Sequence, residues 1–466
     1  MPPPQSAKVE LMLSRRDFLA TSAAPLLAAP AGPKRPNIVF VLMDDLRWDA
    51  LGIAGHPFVK TPNIDRIGHE GAHFLNNFTT TPLCSPSRAS FLTGQYVHTH
   101  GVLDNTNHNE LSHKLITSAV HLQKAGYDTG YMGKWHMGND SSPRPGWNRW
   151  ISFRGQGQYD DPLLNIDGKE EKVPGYVTDI FTKNALDFIR AERSKPFLLY
   201  VAHKAVHGPF IPAARHKELF ANETIHRPAS AQDTLEGKPM LQRQVKNLPP
   251  LKPGMGSSDD LIKNQLRCLT AVDEGVGQMY KALEETRQLD NTLFIFTSDN
   301  GYIWGEHCLG DKRPAYEESI RIAMLARYPS MIKAGTKINQ LTLNIDVAPT
   351  LLDFAGLPKP KEMQGQTLMP LMQGKSPKWR ESFFCEYFEE VGNPRIATWQ
   401  AVRTDHWKYI HYPYLPGMDE LYDVKEDKLE MKNRISDAAA QGALKQAKAE
   451  FEKVRKASGT GELEKK

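Results

Sequence analysis

Cysteine is scarce, with four in 466 residues. That is too few for a disulfide framework, so the fold must rest on a buried core. Setting Cys84 aside leaves Cys268, Cys308 and Cys385, which allow at most one disulfide and are read as free thiols. No apolar stretch approaches the length of a transmembrane span. The net charge is only +4, the pI lies near 8.6, and no basic cluster stands out, so nucleic acid is not an expected partner. An anionic substrate would need a local positive pocket instead. Internal repeats and low-complexity tracts are also missing. What remains is an ordinary globular composition, 40% hydrophobic and 24% charged, in a chain long enough for one large core plus a smaller unit.

The N-terminus carries an address. Ser14-Arg15-Arg16-Asp17-Phe18-Leu19, followed by the apolar Ala20 to Ala29 and an Ala-Pro-rich stretch, has the form of a twin-arginine export signal. Residues 1–33 are therefore set apart as signal and linker, and the expected partner is the twin-arginine translocase. The expected location is exported and periplasmic. That route moves folded proteins, so a modification made in the cytoplasm can precede export.

Two apolar runs have the continuous character of strands buried on both faces of a parallel sheet, Asn37 to Met43 and Thr292 to Ser298. The first ends in Asp44-Asp45 and the second in Asp299-Asn300. Ligands of open α/β sheets gather beyond the carboxyl ends of strands, so the two ends together offer an all-oxygen donor set. An acidic helix cap explains Asp44-Asp45 alone but not the pair of sites. Oxygen donors favour a hard cation, Ca²⁺ ahead of Mg²⁺, over zinc. A short strand over 126–132 runs into Gly133-Lys134-Trp135-His136. If its extended geometry continues, Lys134 and His136 point to one side, an arrangement suited to a negative group that needs proton transfer. Another strand, 197–202, leads to His203 and then His207-Gly208-Pro209-Phe210.

The stretch Leu83-Cys84-Ser85-Pro86-Ser87-Arg88-Ala89-Ser90-Phe91-Leu92-Thr93-Gly94 organises the rest. Ser85 is suited to cap a helix, Pro86 to its first turn and Gly94 to its end. Cys84 then lies just ahead of a helix N-terminus, where free N–H groups favour an anion, with Arg88 one turn inside. From these residues alone the thiol is either inert and buried or a nucleophile whose pKa the helix end and Arg88 lower. Elsewhere, helical spacing covers 112–125, 176–193, 261–287 and 346–354, and 220–260 is polar and aperiodic. The loop 139–162, rich in Trp and Arg, either meets a sugar or packs onto the domain. Near residue 370 the texture changes to short β-like runs at 382–387, 398–403 and 407–412 and a helix over 436–453. The expected organisation is thus a main domain over 34–370 and a smaller unit over 371–466 with a disordered tail from Ala457.

Cys84-x-Pro86-Ser87-Arg88, followed after four residues by Thr93-Gly94, closely resembles the signature of the type I, formylglycine-dependent sulfatases. Gly133 to His136 resembles their second motif, and His207-x-Pro209-Phe210 the segment that carries a sulfate-contacting histidine. In Gly305 to Arg313, Lys312 matches the second sulfate-binding lysine, while Cys308 stands where glycine is expected. Cys84 to Val102 and Gly310 to Tyr328 look most like bacterial relatives of N-acetylglucosamine-6-sulfatases. The resemblance runs from Asn37 to about Asn433 and implies an α/β, alkaline-phosphatase-like fold: a large mixed sheet between helices, with a smaller C-terminal α/β subdomain. It implies that Cys84 is converted to formylglycine by a formylglycine-generating or anaerobic sulfatase-maturating enzyme and joins Asp44, Asp45, Asp299 and Asn300 around Ca²⁺. In the implied chemistry Ca²⁺ and Arg88 polarise the formylglycine hydrate, and one of its hydroxyls attacks sulfur. Lys134, Lys312, His136 and His207 neutralise the sulfate oxygens. His207, with Lys312, protonates the leaving alcohol, and His136 takes the proton whose loss expels sulfate. The expected substrate is a sulfated carbohydrate. A phosphonate or phosphodiester hydrolase of the same superfamily and a non-catalytic sulfated-glycan-binding protein stand as alternatives.

Overall fold

The computed structural model divides the chain into two units, Met1–Lys34 and Arg35–Lys466, and describes residues 1–2, 35–106 and 108–460. The twin-arginine segment and the last six residues lie outside the described residues. The four strands that carry the site are β1 (Asn37–Met43), β2 (Asp128–Gly133), β3 (Phe197–Ala202) and β4 (Thr292–Ser298). All pair in parallel in the order β4-β1-β3-β2, so their carboxyl ends open on one rim. Six more strands complete a ten-stranded sheet. Arg149–Ser152, Leu163–Ile166 and Lys169–Lys172 extend it beyond β2, and antiparallel Met324–Arg327, then Ala72–Phe74 and Thr336–Ile338, extend it beyond β4. The sheet is therefore mixed.

The absence of alternation in β1 has a direct cause. Val39, Val41 and Met43 face a core shared with helices α1 (Pro62–His69), α3 (Val177–Arg190) and α4 (Asp259–Glu285). Ile38, Phe40 and Leu42 face a second core, shared with α2 (Cys84–Thr93) and α5 (Val347–Phe354). Both faces of the strand are dry, and each fully buried aliphatic or aromatic side chain stabilises the fold by about 1.5–3 kcal/mol.

Several expectations need adjustment. The helix expected over 112–125 is two, Asn109–Lys114 and Ser118–Lys124, separated by extended residues at 115–117. The loop 139–162 contributes a strand, and its aromatic residues pack inward. Trp147 and Trp150 lie against Tyr131, with Arg144 over Trp150. The C-terminal part holds a four-stranded antiparallel sheet, Ser382–Tyr387, Trp399–Thr404, Trp407–His411 and Glu420–Asp423. Its last strand was not expected, because Glu420 at its start is a buried carboxylate that interrupts the apolar pattern. Tyr316, Tyr412 and Tyr422 hydroxyls all donate to it. The final helix runs over Gln441–Ala457. All four cysteines are free.

Candidate active site

Asp44, Asp45, Cys84, Arg88, Lys134, His136, His207, Asp299, Asn300 and Lys312 converge beyond the carboxyl ends of β1–β4, and His203 does not. Asp44 and Asp45 follow β1, and Asp299 and Asn300 follow β4, whose pairing is continued by Asp299 N–H donating to Met43 O at 3.1 Å. The Asp45 N–H in turn donates to Asp299 Oδ1 at 3.1 Å, locking the two acidic ends together. One carboxylate oxygen from each of Asp44, Asp45 and Asp299 falls within a single buried cluster.

Cys84 differs from expectation in detail. It is the first residue of α2 rather than the residue ahead of it, with Leu83 as N-cap. Ser85 does not cap the helix, because its hydroxyl donates instead to His136 O at 2.7 Å. Gly94 ends α2 in the left-handed region, φ 68°, as expected. The Cys84 thiol lies 3.5 Å from Asp44 Oδ1 and 4.0 Å from Asp45 Oδ1. Burial, with these carboxylates adding to it, pushes the thiol up to about 12, so it is no thiolate nucleophile. Desolvation thus outweighs Lys134 and Lys312, opposite in sense to the lowering expected from the helix end and Arg88.

The cations surround the acids. Arg88 Nε meets Asp299 Oδ2 at 2.9 Å, Lys134 Nζ meets Asp44 Oδ2 at 2.5 Å, and Lys312 Nζ meets Asp45 Oδ1 at 2.5 Å. Burial works against the Asp44 carboxylate, but Lys134, His207, Arg88 and Lys312 outweigh it and hold Asp44 well below the usual range. Asp299 goes the other way: burial, then the neighbouring Asp44 charge, raises it to about 7. Crowded carboxylates of this kind call for positive charge. Asn300 supplies an independent sign, since its Oδ1 is buried and accepts no hydrogen bond among the described residues, while its Nδ2 donates to Asp45 Oδ1 at 2.7 Å. Three carboxylates and an orphaned amide oxygen fit a hard divalent cation.

Lys134 and His136 reach the site by a route other than strand alternation. β2 stops at Gly133, φ 127°, where a Cβ would lie 1.8 Å from Ala202 O, and His136 itself has φ 64°. A turn, not a pleat, brings them together. The Lys134 carbonyl accepts from Arg88 Nη1 at 2.6 Å and from the Tyr131 hydroxyl at 2.6 Å. Since Ser85 Oγ gives its proton to His136 O, His136 Nδ1–H donates to Ser85 Oγ at 3.2 Å, leaving Nε2 as the lone-pair nitrogen. Burial and Lys134 depress His136 well below the usual histidine value. His207 Nε2 is 3.8 Å from Asp45 Oδ2, and burial and Lys134 lower it to about 4. His203 lies apart: it is fully buried beside Phe181, and neither ring nitrogen has a partner among the described residues.

Sequence reasoning missed Lys204. Its buried Nζ donates to Gly208 O at 2.8 Å, and the Tyr159 hydroxyl donates to His207 O at 2.6 Å, so two side chains fasten the turn that presents His207. The flanking histidines in the segment gave no signal for it. Cys308 has φ 61°, which explains why glycine was expected there, and its thiol donates to Asp233 O at 3.1 Å. A cavity of about 470 Å³ opens beside Lys312, lined also by Tyr302, Asp311, Asn393 and Arg395, and offers room for a leaving group.

Fold and site together define a hydrolase class, in which a helix-start residue stands beside a hard-cation cage amid lysines and histidines disposed to hold a tetrahedral anion. The sulfatase family model matches residues 36–357, and that of the N-sulphoglucosamine sulphohydrolase C-terminal region matches 305–457. The chain belongs to the sulfatase family and is a sulfuric ester hydrolase. It is 33% identical to an N-acetylglucosamine-6-O-sulfatase of Bacteroides thetaiotaomicron, over 91% of this chain and 88% of that one. A solved structure of a protein in complex with its substrate D-glucosamine-2-N,6-O-disulfate aligns with TM-score 0.83 and 32% identity, covering 91% of this chain and 98% of that one. A phosphonate monoester hydrolase of Agrobacterium radiobacter shares the fold, with TM-score 0.76 at 22% identity over 91% and 96% of the two chains.

Proposed function

We propose that the chain hydrolyses sulfate esters on a sulfated carbohydrate, with 6-O-sulfated glucosamine the first candidate, after export to the periplasm through the twin-arginine route. The observation that carries the chemistry is the position of Cys84, 3.5 Å from Asp44 inside a ring formed by Arg88, Lys134 and Lys312. The sugar assignment is supported by the two glucosamine-sulfate relatives above. A formylglycine made from Cys84 by a maturation enzyme would supply a hydrated aldehyde as nucleophile. Asp44, Asp45, Asp299 and Asn300 would hold the cation, Ca²⁺ by preference, that supplies positive charge beside it.

The chain's own groups then divide the work. Lys134 and Lys312 neutralise sulfate oxygens, and Arg88 orients the Asp299 carboxylate while lending charge at the start of α2. His136 Nε2, held as a lone pair by the Ser85 contact, takes a proton. His207 donates one to the leaving alkoxide. Burial depresses His207, but the negative charge of a bound ester and of the developing alkoxide acts in the opposite sense and favours the imidazolium.

Cys84→Ala is the decisive test, because it removes a single small group from an intact helix start. The variant should fold and release no sulfate from glucosamine 6-sulfate. Near-native turnover would overturn the reading. The ratio of kcat/KM on an aryl sulfate to that on a matched aryl phosphodiester separates this function from the phosphodiesterase alternative.

A further inference from the structure

We propose that the folded chain, before Cys84 is converted, takes one divalent transition ion of the zinc class on Asp44, Cys84 and His207, a softer donor set that shares Asp44 with the oxygen cage and so replaces its cation rather than adding to it. A carboxylate oxygen, the sulfur and an imidazole nitrogen of these residues all lie within 4.8 Å of one another. Tetrahedral zinc with bonds of about 2.0–2.3 Å requires ligand separations of roughly 3.5 Å. The Cys84 to Asp44 pair already stands at 3.5 Å, and an imidazole nitrogen of His207 lies within 4.8 Å of both, so a short closure of the His207 turn completes the set.

The donors are also individually prepared. Lys134 occupies Asp44 Oδ2, leaving Oδ1 to face the sulfur. His207 Nδ1 lies 3.0 Å from the carbonyl oxygen of Gly208, which can only accept, so Nδ1 carries the proton and Nε2 carries the lone pair. A backbone carbonyl on the far nitrogen is the usual arrangement for a metal-bound histidine. The Tyr159 hydroxyl on His207 O fixes the same residue from the other side. This oxygen-sulfur-nitrogen set, which shares Asp44 with the all-oxygen cage, favours zinc, cobalt or copper over calcium. Binding exchanges the thiol proton for the metal: the S–H bond breaks, the proton leaves to solvent and an S–metal bond forms, with no change of oxidation state. Three protein donors leave a fourth position for water. A metal thiolate of this kind would hold the sulfur unavailable for conversion to the aldehyde and keep the folded thiol form inert. The proposal concerns the thiol form and does not rest on the sulfatase mechanism.

The test uses the full chain produced in a host without a maturation enzyme, with the Cys84 thiol confirmed by intact mass, and Co²⁺ as the probe. One equivalent should give a thiolate-to-cobalt charge-transfer absorption that excess Zn²⁺ removes. Cys84→Ser, which retains Cys268, Cys308 and Cys385, should show no such band. His207→Ala should weaken Co²⁺ binding by at least about tenfold, the loss that accompanies removal even of ligand-supporting groups. Absence of the band in the thiol form overturns the proposal, as does its survival in Cys84→Ser or unchanged affinity in His207→Ala. Should Cys84→Ser fail to fold, as judged by melting, Cys84→Ala serves the same comparison.

Discussion

His203 and His207 sit four residues apart with opposite surroundings, one sealed beside Phe181 and one at the mouth of the cage. A sugar alkoxide leaves poorly without a proton, whereas a nitrophenolate leaves unassisted. His207→Ala should therefore lower kcat/KM by about 100-fold or more on a sugar sulfate but by about tenfold or less on nitrophenyl sulfate. His203→Ala should show no such dependence on the leaving group. Equal losses on both substrates for His207→Ala would reduce it to an anion contact. At this scale the sequence was informative about identity and silent about support. Arg88, Lys134 and Lys312 could be named because charged residues stand out beside strand ends and motifs. Ser85 was given a capping role because its usual partner is the helix backbone, and only the turn at His136 shows that its hydroxyl goes elsewhere.

Between elements, the short helix Val97–His100 is tied to the C-terminal sheet through His98. Its Nδ1 lies 2.5 Å from Glu386 Oε1, and its Nε2 lies 2.8 Å from Ser458 O. Burial opposes charge on His98, yet the Glu386 carboxylate outweighs it and raises the pKa above the ordinary histidine value. A histidine raised in the folded state contributes stability that is full below its unfolded pKa, about 6.5, and lost as pH rises through the folded pKa. His98→Gln should therefore cost about 1–2 kcal/mol near pH 5.5 and progressively less above pH 7, read from melting curves across pH. A constant difference would remove the linkage. The helices and central strands were legible because their apolar residues recur at 3.6 or fill both faces without a break, as in β1 and α4. Ala72–Phe74, Asn77–Phe78 and Thr342–Leu343 were not, since two or three residues carry no period. Nor did Lys169–Lys172 announce itself, because an exposed edge strand of Lys-Glu-Glu-Lys has no apolar face to show.

For the whole molecule, the cage joins two chain segments about 255 residues apart, so its contents bear on global stability. With a bound cation relieving the repulsion among Asp44, Asp45 and Asp299, exhaustive chelation should lower the melting temperature by roughly 2–5 °C, and Ca²⁺ should restore it. Unchanged melting and turnover after chelation would make the oxygen cage a purely structural cluster.

The same three carboxylates face three cations, Arg88, Lys134 and Lys312. The cage is thus formally neutral by itself and carries a charge of about +2 once a divalent ion joins it. A sulfate monoester brings a single negative charge, whereas inorganic sulfate brings two, so the product matches the pocket better than the substrate does. Departure of sulfate, rather than arrival of the ester, is then the step that electrostatics opposes. Inorganic sulfate should inhibit competitively with a Ki below the KM of the sugar ester, and added salt should raise that Ki more steeply than it raises KM.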